Sequence, residues 1–492
     1  MTTSLPSEKL NLWRKIGFGV GDIFGGGSGV VISFYYLYFL TDIIRINPGL
    51  AGLVILVSKV YDAITDPFEG VLTDRTRTPL GRRRPYLLAG ILLVFLSFFT
   101  LWYPVNFTEE WERFVFVILA YLFFSTVVSI VMTSYNALAS ELTLDYNERT
   151  SISSFRIFFS TFASILAAVL PLEIVKLFPD VRQGYISMGL IFGAFFALPL
   201  IVTFISTRER PEFQRPPQPF HWRQAFIEPF MVRTFVFALL MYLLAFVAMD
   251  AVSSIVIFYM KYYLLRGAEA NYVSGVLLVA QVVSLPFYVA LSRRTSKKTG
   301  YITGALIWLG TMLTSFWIVP GAPTFGVYAF ATMVGLGTGG IVVMIYAIFP
   351  DIPDVDELKT GERREGTYSA LVAFMRKLSS AVALFVVSST FSLTGYRQPV
   401  EQVVDGVSRL VEQPQPATFI LALRLIFVLF PIVLVGLALV CAYQYPLSPQ
   451  VHRRLNRVLA IQRNGQAQAA ETQAEIQQEC ERLKHLLIGE SA

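Results

Sequence analysis

Asp62, Thr65 and Asp66 lie at the end of an apolar run that starts near Leu50. The two acids are four residues apart, so a helix puts them on one face with Thr65 between them. An unpaired carboxylate in hydrocarbon is costly, and an ionisable group inside a membrane span is read first as functional. The three side chains offer hard oxygen ligands of the kind that suit a small monovalent cation. Alternatively, two close carboxylates hold a proton more readily than one alone, so one of them could carry H⁺. Lys59, one turn earlier, supplies the structural alternative of an ion pair with Asp62.

Few other charges interrupt the apolar runs. Asp22 sits in the small-residue segment Gly19-Val-Gly-Asp-Ile-Phe-Gly-Gly-Gly-Ser-Gly, which favours close approach of a helix or a ligand. It either faces a cavity or supports a packing contact. Arg156 and Lys377 are isolated cations in apolar surroundings, suited to pairing with an acid or holding a polar or anionic group of a substrate. Asp250 is a further cavity candidate. A dense basic loop follows the Asp62/Asp66 segment. Asp74, Arg75, Arg82, Arg83 and Arg84 there, and Arg149 and Arg363 in two later loops, read either as gating contacts or as simple topology signals.

These residues require membrane-spanning helices to position them. The chain has 492 residues, 54% hydrophobic and 15% charged, where soluble domains carry about 25% charged residues. A span needs about 20 apolar residues. Twelve runs qualify: 16–42, 50–73, 84–104, 112–140, 151–176, 184–206, 231–262, 270–291, 301–319, 324–349, 367–393 and 416–443. The expectation is an all-α membrane protein of twelve helices in two six-helix halves. The boundaries are 1–206 for the first half, 207–228 for a proline-rich linker, 229–443 for the second half and 444–492 for a polar tail. Basic loops after the second and eighth runs, and acid-and-basic loops after the fourth and tenth, suggest a parallel repeat. Alternate loops are basic, which predicts both termini in the cytoplasm of a multi-pass plasma-membrane protein. The tail is expected to be a solvated helix, with Leu483, Leu486 and Leu487 on one face.

Other function classes find little support. Two cysteines give no disulfide framework, and the three histidines (His221, His452, His485) fall in loops or the tail. No GxxxxGK[ST] loop and no GxSxG elbow occurs, so no nucleotide-driven pump, hydrolase or organic cofactor is expected. The net charge of +6 reflects cytoplasmic loops and not nucleic-acid binding.

Tyr61-Asp-Ala-Ile-Thr-Asp-Pro-Phe-Glu-Gly, Asp74-Arg-Thr with Gly81-Arg-Arg-Arg-Pro, Ala137-Leu-Ala-Ser-Glu-Leu-Thr-Leu-Asp-Tyr-Asn-Glu-Arg-Thr and Asp351-Ile-Pro-Asp-Val-Asp-Glu-Leu-Lys-Thr-Gly-Glu-Arg-Arg-Glu-Gly occur in that order. Together they resemble the glycoside–pentoside–hexuronide:cation symporter family of the major facilitator superfamily, which includes the melibiose permeases. The resemblance runs from about Lys15 to Tyr443. It implies alternating access around a central site. It places the family's cation site on Asp62, Thr65 and Asp66, with a helix-four hydroxyl at Ser129 and cavity cations at Arg156 and Lys377. The family's two sugar carboxylates fall on Gly26 and Met132, and its aromatic sugar platform on Asn136, so melibiose itself does not fit. The expected function is a monomeric symporter coupling Na⁺ or H⁺ to uptake of a sugar or glycoside, acidic ones included. A lysophospholipid carrier and a non-transporting sensor or scaffold are the alternatives.

Overall fold

The computed structural model describes residues 9–142, 146–209, 227–361, 364–404, 407–464 and 470–489. Its helices are Leu12–Val20 (α1), Asp22–Val31 (α2), Pro48–Arg75 (α3), Arg84–Leu101 (α4), Glu110–Leu142 (α5), Tyr146–Lys176 (α6), Val181–Ser206 (α7), Arg233–Phe258 (α8), Ala270–Arg294 (α9), Lys297–Thr314 (α10), Thr324–Ile348 (α11), Ile352–Thr360 (α12), Glu365–Leu393 (α13), Ala417–Gln444 (α14), Pro449–Asn464 (α15) and Ala470–Leu487 (α16). Among the described residues, 11 helical stretches are long and apolar enough to cross a membrane. The eighteen-residue α10 opens on Lys297, Lys298 and Thr299, which dilutes its apolar run, and it completes the set of twelve.

Local chemistry sets the ends of these helices. The Asn47 side chain accepts from Gly49 N at 2.9 Å ahead of Pro48, which joins a capping side chain to a proline at the first helical position. Ser296 caps α10 in the same way through Thr299 N. Pro171, Pro199, Pro286 and Pro431 lie inside spans, where such residues are better tolerated than in helices exposed to water.

The first and seventh spans end alike. Each closes in a π turn, Phe39–Ile43 and Tyr259–Tyr263. Ile44 N bonds Phe39 O and Ile46 N bonds Leu40 O, while Leu264 N bonds Tyr259 O and Arg266 N bonds Met260 O. Arg45 (φ 61°) and Leu265 (φ 58°) are the only non-glycine residues with positive φ among those described. Each closure holds a non-glycine residue in the left-handed region, at a cost of about 1–3 kcal/mol.

Two compact units emerge. The first comprises Met1–Gln218, Ser253–Leu278 and Ala381–Arg424. In it α2 packs on α6, α3 on α5, and α4 on α7, around an aromatic core of Phe24, Phe98, Phe124 and Phe196. The second comprises Pro219–Val252, Val279–Ser380 and Leu425–Ala492. Its tightest pair is α10 with α11, where Gly304 faces Gly337 so closely that a Cβ at Gly304 would lie 2.7 Å from the Gly337 carbonyl oxygen. A two-stranded antiparallel ribbon, Val400–Val404 with Val407–Val411, joins α13 to α14.

The tail departs from the expected solvated helix. α15 and α16 form a hairpin against α12, with Leu455, Val458, Leu459, Leu483, Leu487 and Ile488 buried. Leu486, expected on the same face as Leu483 and Leu487, is 39% exposed. Arg233 N, at the start of α8, donates to Ile488 O at 3.2 Å, and Thr234 Oγ1 donates to Leu487 O at 2.7 Å. These regularly spaced aliphatic residues have a surface to cover, which overrides the polar composition of the segment.

Candidate functional site

The acids of α3 are held by serines of α5. Asp62 is 2% exposed; its Oδ1 accepts from Ser125 Oγ at 2.5 Å and its Oδ2 from Lys59 Nζ at 3.0 Å. One turn on, Ser129 Oγ donates to Asp66 Oδ1. The i, i+4 spacing of Asp62 and Asp66 on one helix thus matches that of Ser125 and Ser129 on the other. Tyr61 and Thr126 hydroxyls, 3.1 Å apart, tie the two helices between these contacts. Lys59 lies over the Tyr121 ring at 5.7 Å. Thr65 Oγ1 is shielded from solvent and makes no hydrogen bond among the described residues. A buried hydroxyl without a partner is costly and calls for an explanation. Lys59 neutralises part of the charge on Asp62, so both the ion pair and the oxygen-rich face foreseen for this segment are present.

Asp22 and Arg156 meet elsewhere in the first unit. Arg156 Nε lies 3.1 Å from Asp22 Oδ2, and its guanidinium stands over the Tyr135 ring at 5.3 Å. Tyr135 is fixed by its hydroxyl, which donates to Phe18 O at 2.7 Å. Gly26, on the turn after Asp22, sits flush against α6: a Cβ there would lie 2.7 Å from the Ser160 carbonyl oxygen and collide with its hydroxyl. The position where the family resemblance places a sugar carboxylate therefore has no room for any side chain.

In the second unit Asp250 on α8 binds Arg376 on α13, at 2.6 and 2.8 Å through both guanidinium NH groups. Arg376 also lies over Phe246 at 4.8 Å. Lys377, its neighbour, is half-buried on the same helix.

The basic loop is ordered by an acid outside it. Glu209 accepts from the backbone N–H groups of Arg82, Arg83 and Arg84, at 2.6, 2.6 and 2.8 Å. A carboxylate there satisfies orphan donors at the start of α4 and complements its dipole. Arg83 donates to Thr73 Oγ1 at 2.8 Å, and Arg84 to Phe204 O at 3.0 Å. Arg75 ends α3 on an exposed position. Arg363 and the side chains of Asp74 and Arg149 lie outside the described residues.

A cluster around Asp42 was not anticipated. Asp42, 1% exposed, accepts from Tyr396 at 2.6 Å, Thr41 at 2.7 Å and Tyr262 at 2.8 Å. Lys261 Nζ stands 3.3 Å from Asp42, 3.0 Å from the Tyr38 hydroxyl and 3.0 Å from Glu412. Asp42 and Lys261 each close a span, where a charge reads as interfacial. The useful signal is the aromatic density around both, Tyr35-Tyr-Leu-Tyr-Phe and Tyr259-Met-Lys-Tyr-Tyr.

The chain matches the family model described as MFS/sugar transport protein over residues 17–449. It is 26% identical over 546 residues to the uncharacterized symporter sll1374 of Synechocystis sp. (strain ATCC 27184 / PCC 6803 / Kazusa), covering 93% of this chain and 98% of that one. It is 23% identical over 439 residues to the isoprimeverose transporter of Lactiplantibacillus pentosus, covering 88% of each. A candidate sulfoquinovose importer of Escherichia coli (strain K12) is 26% identical over 423 residues, covering 82% of this chain and 87% of the relative. Among solved structures, a bacterial homolog of the human lysosomal transporter Spinster superposes with a TM-score of 0.62 at 12% identity, covering 89% of this chain and 98% of that one. The xylose transporter XylE from E. coli gives 0.58 at 12% identity, covering 88% and 98%. The family model and these relatives describe transporters and not enzymes. The chain belongs to the MFS/sugar transport family of membrane transporters.

Proposed function

We propose that this protein is a secondary symporter in which a cation at Asp62, Thr65 and Asp66 drives uptake of an acidic sugar or glycoside by alternating access. The observation that carries the reading is the pair of carboxylates one turn apart on α3, each held by a serine of α5, on a helix that also carries the shielded, unbonded Thr65 hydroxyl. A Na⁺ ion would take Thr65 Oγ1 and the carboxylate oxygens as ligands, with Ser125 and Ser129 fixing the carboxylate rotamers. A proton would sit on one carboxylate and leave Thr65 to bond it.

The substrate class follows from charge. Gly26 excludes a side chain at one sugar-carboxylate position and Met132 occupies the other, while the family resemblance keeps its cations at Arg156 and Lys377. Two acids fewer with both cations kept favour a carboxylated or sulfonated sugar, because a more positive balance of charge attracts anions. Relatives described as handling sulfonated substrates support this. Orientation with both termini cytoplasmic follows from the basic loops.

The test is uptake into proteoliposomes under separate Na⁺ and H⁺ gradients, with a neutral glycoside, a glucuronide, a sulfonated hexose and a lysophospholipid as solutes. Accumulation of an acidic sugar driven by one gradient, lost in Asp62→Asn, is expected. Gradient-driven uptake that survives Asp62→Asn overturns the cation assignment, and movement of the lysophospholipid alone overturns the sugar.

A further inference from the structure

A polar cavity lies far along the chain from Asp62, at the join of α9, α10, α14 and α15. It has a volume of about 420 Å³ and is lined by Arg293, Arg294, Lys297, Lys298 and Arg453 against the single carboxylate of Asp351. That carboxylate is already committed, since Lys297 Nζ binds Asp351 Oδ2 at 2.6 Å. Lys298 is held in place by two backbone carbonyls, Tyr443 O at 2.7 Å and Tyr445 O at 3.1 Å, so its charge is positioned without being neutralised. Arg293, Arg294 and Arg453 make no hydrogen bond or ion pair among the described residues.

Two further features point to an occupant. Tyr445 lines the cavity and is only 4% exposed, yet its hydroxyl has no hydrogen-bond partner. Such a group is rare unless a ligand or water satisfies it. The N-termini of α10 and α15, capped by Ser296 and Ser448, also open on the cavity and add positive dipole ends. Like-charged side chains gathered in a concavity repel one another, and an anion relieves that repulsion.

We infer that this cavity binds a phosphate-bearing anion. Leu437, Val440 and Tyr443 run up the exposed face of α14 toward it, at 50, 53 and 64% exposure. An acyl chain could lie along that stripe, so the phosphate diester of an anionic lipid fits better than free phosphate. Basic pockets at helix ends are where such headgroups bind.

The experiment uses the full-length protein in detergent. Retention of phosphatidylglycerol and of phosphatidylcholine is measured by native mass spectrometry, and sodium phosphate is titrated in parallel with thermal unfolding as readout. The variants are R293Q/R294Q/R453Q and a control with equal loss of charge elsewhere, K9Q/R14Q/R208Q. The expected result is selective retention of phosphatidylglycerol, weakened about fivefold per arginine removed and preserved in the control. Stabilisation by phosphate with no preference for phosphatidylglycerol, again lost only in the triple arginine variant, assigns the site to a soluble phosphate. Equal loss in the control, or unchanged binding in the arginine variant, overturns the site. If the arginine variant does not fold, hydrogen exchange over 292–298 and 445–453 of the unaltered protein decides: phosphatidylglycerol or phosphate must slow it.

Discussion

Arg376 and Asp250 meet through two parallel hydrogen bonds of 2.6 and 2.8 Å, with side chains 26% and 10% exposed. Removing one partner of such a pair strands a charge in poorly solvated surroundings, at a cost of about 3 kcal/mol. Arg376→Ala is expected to lower the detergent unfolding temperature sharply. The double change R376M/D250L should recover most of that loss, because no charge is left unpaired. A double variant as unstable as the single one would mean that the pair acts through packing alone.

Ser129 gives a graded test of the cation site. Ser129→Ala removes one hydrogen bond to the Asp66 carboxylate, worth about 1.5–3 kcal/mol for a charged acceptor. Apparent affinity for the coupling cation should fall about tenfold or more, while Asp66→Asn should abolish coupled accumulation. Thr65→Val should weaken Na⁺ coupling strongly and H⁺ coupling little, so this variant measured under the two gradients separates the ions.

Asp42 gathers four donors from three segments of the first unit. Asp42→Asn keeps its shape but removes the charge that Lys261 and Tyr396 answer. Amide exchange over 259–266 and 391–397 should speed up by an order of magnitude or so, consistent with loss of about 1–3 kcal/mol of local stability. Unchanged exchange there would show that the aromatic packing of Phe258, Phe391 and Phe419 holds the segments unaided.

The tail hairpin should behave as part of the fold. Leu487 is fully buried, so Leu487→Ala is expected to cost about 2–5 kcal/mol. Faster proteolysis of 449–489 and faster exchange in the first turn of α8 would be measured together. Proteolysis without any change in α8 would mean that the carbonyl contacts from residues 487 and 488 contribute nothing.

Much of this architecture was legible in the sequence. Twelve apolar runs and alternating basic loops imply a twelve-helix transporter, because hydrocarbon forces every backbone group to be paired inside its own helix. Asp62 and Asp66 stood out for the same reason, since acids in an apolar run are rare. Ser125 did not stand out, because a small hydroxyl residue inside a span usually bonds its own backbone or fills a packing gap. Of the adjacent cations Arg376 and Lys377, the sequence alone does not say which faces Asp250, since the helical phase is fixed by packing. Asp42 and Lys261 stand at the last residues of the runs 16–42 and 231–262, where a charge marks the end of a span and does not by itself signal a buried cluster. The tail misled through composition: Gln and Glu dominate 470–482, but a few well-spaced leucines decide whether a helix docks.

The carbonyls of Leu487 and Ile488 close off the opening turn of α8, more than 250 residues upstream. During synthesis that turn must enter the bilayer long before its partners leave the ribosome. The start of the seventh span therefore gains these two contacts only after five further spans have been made. The packing of the second unit is thus finished at its own beginning, by carbonyls made near the end of the chain.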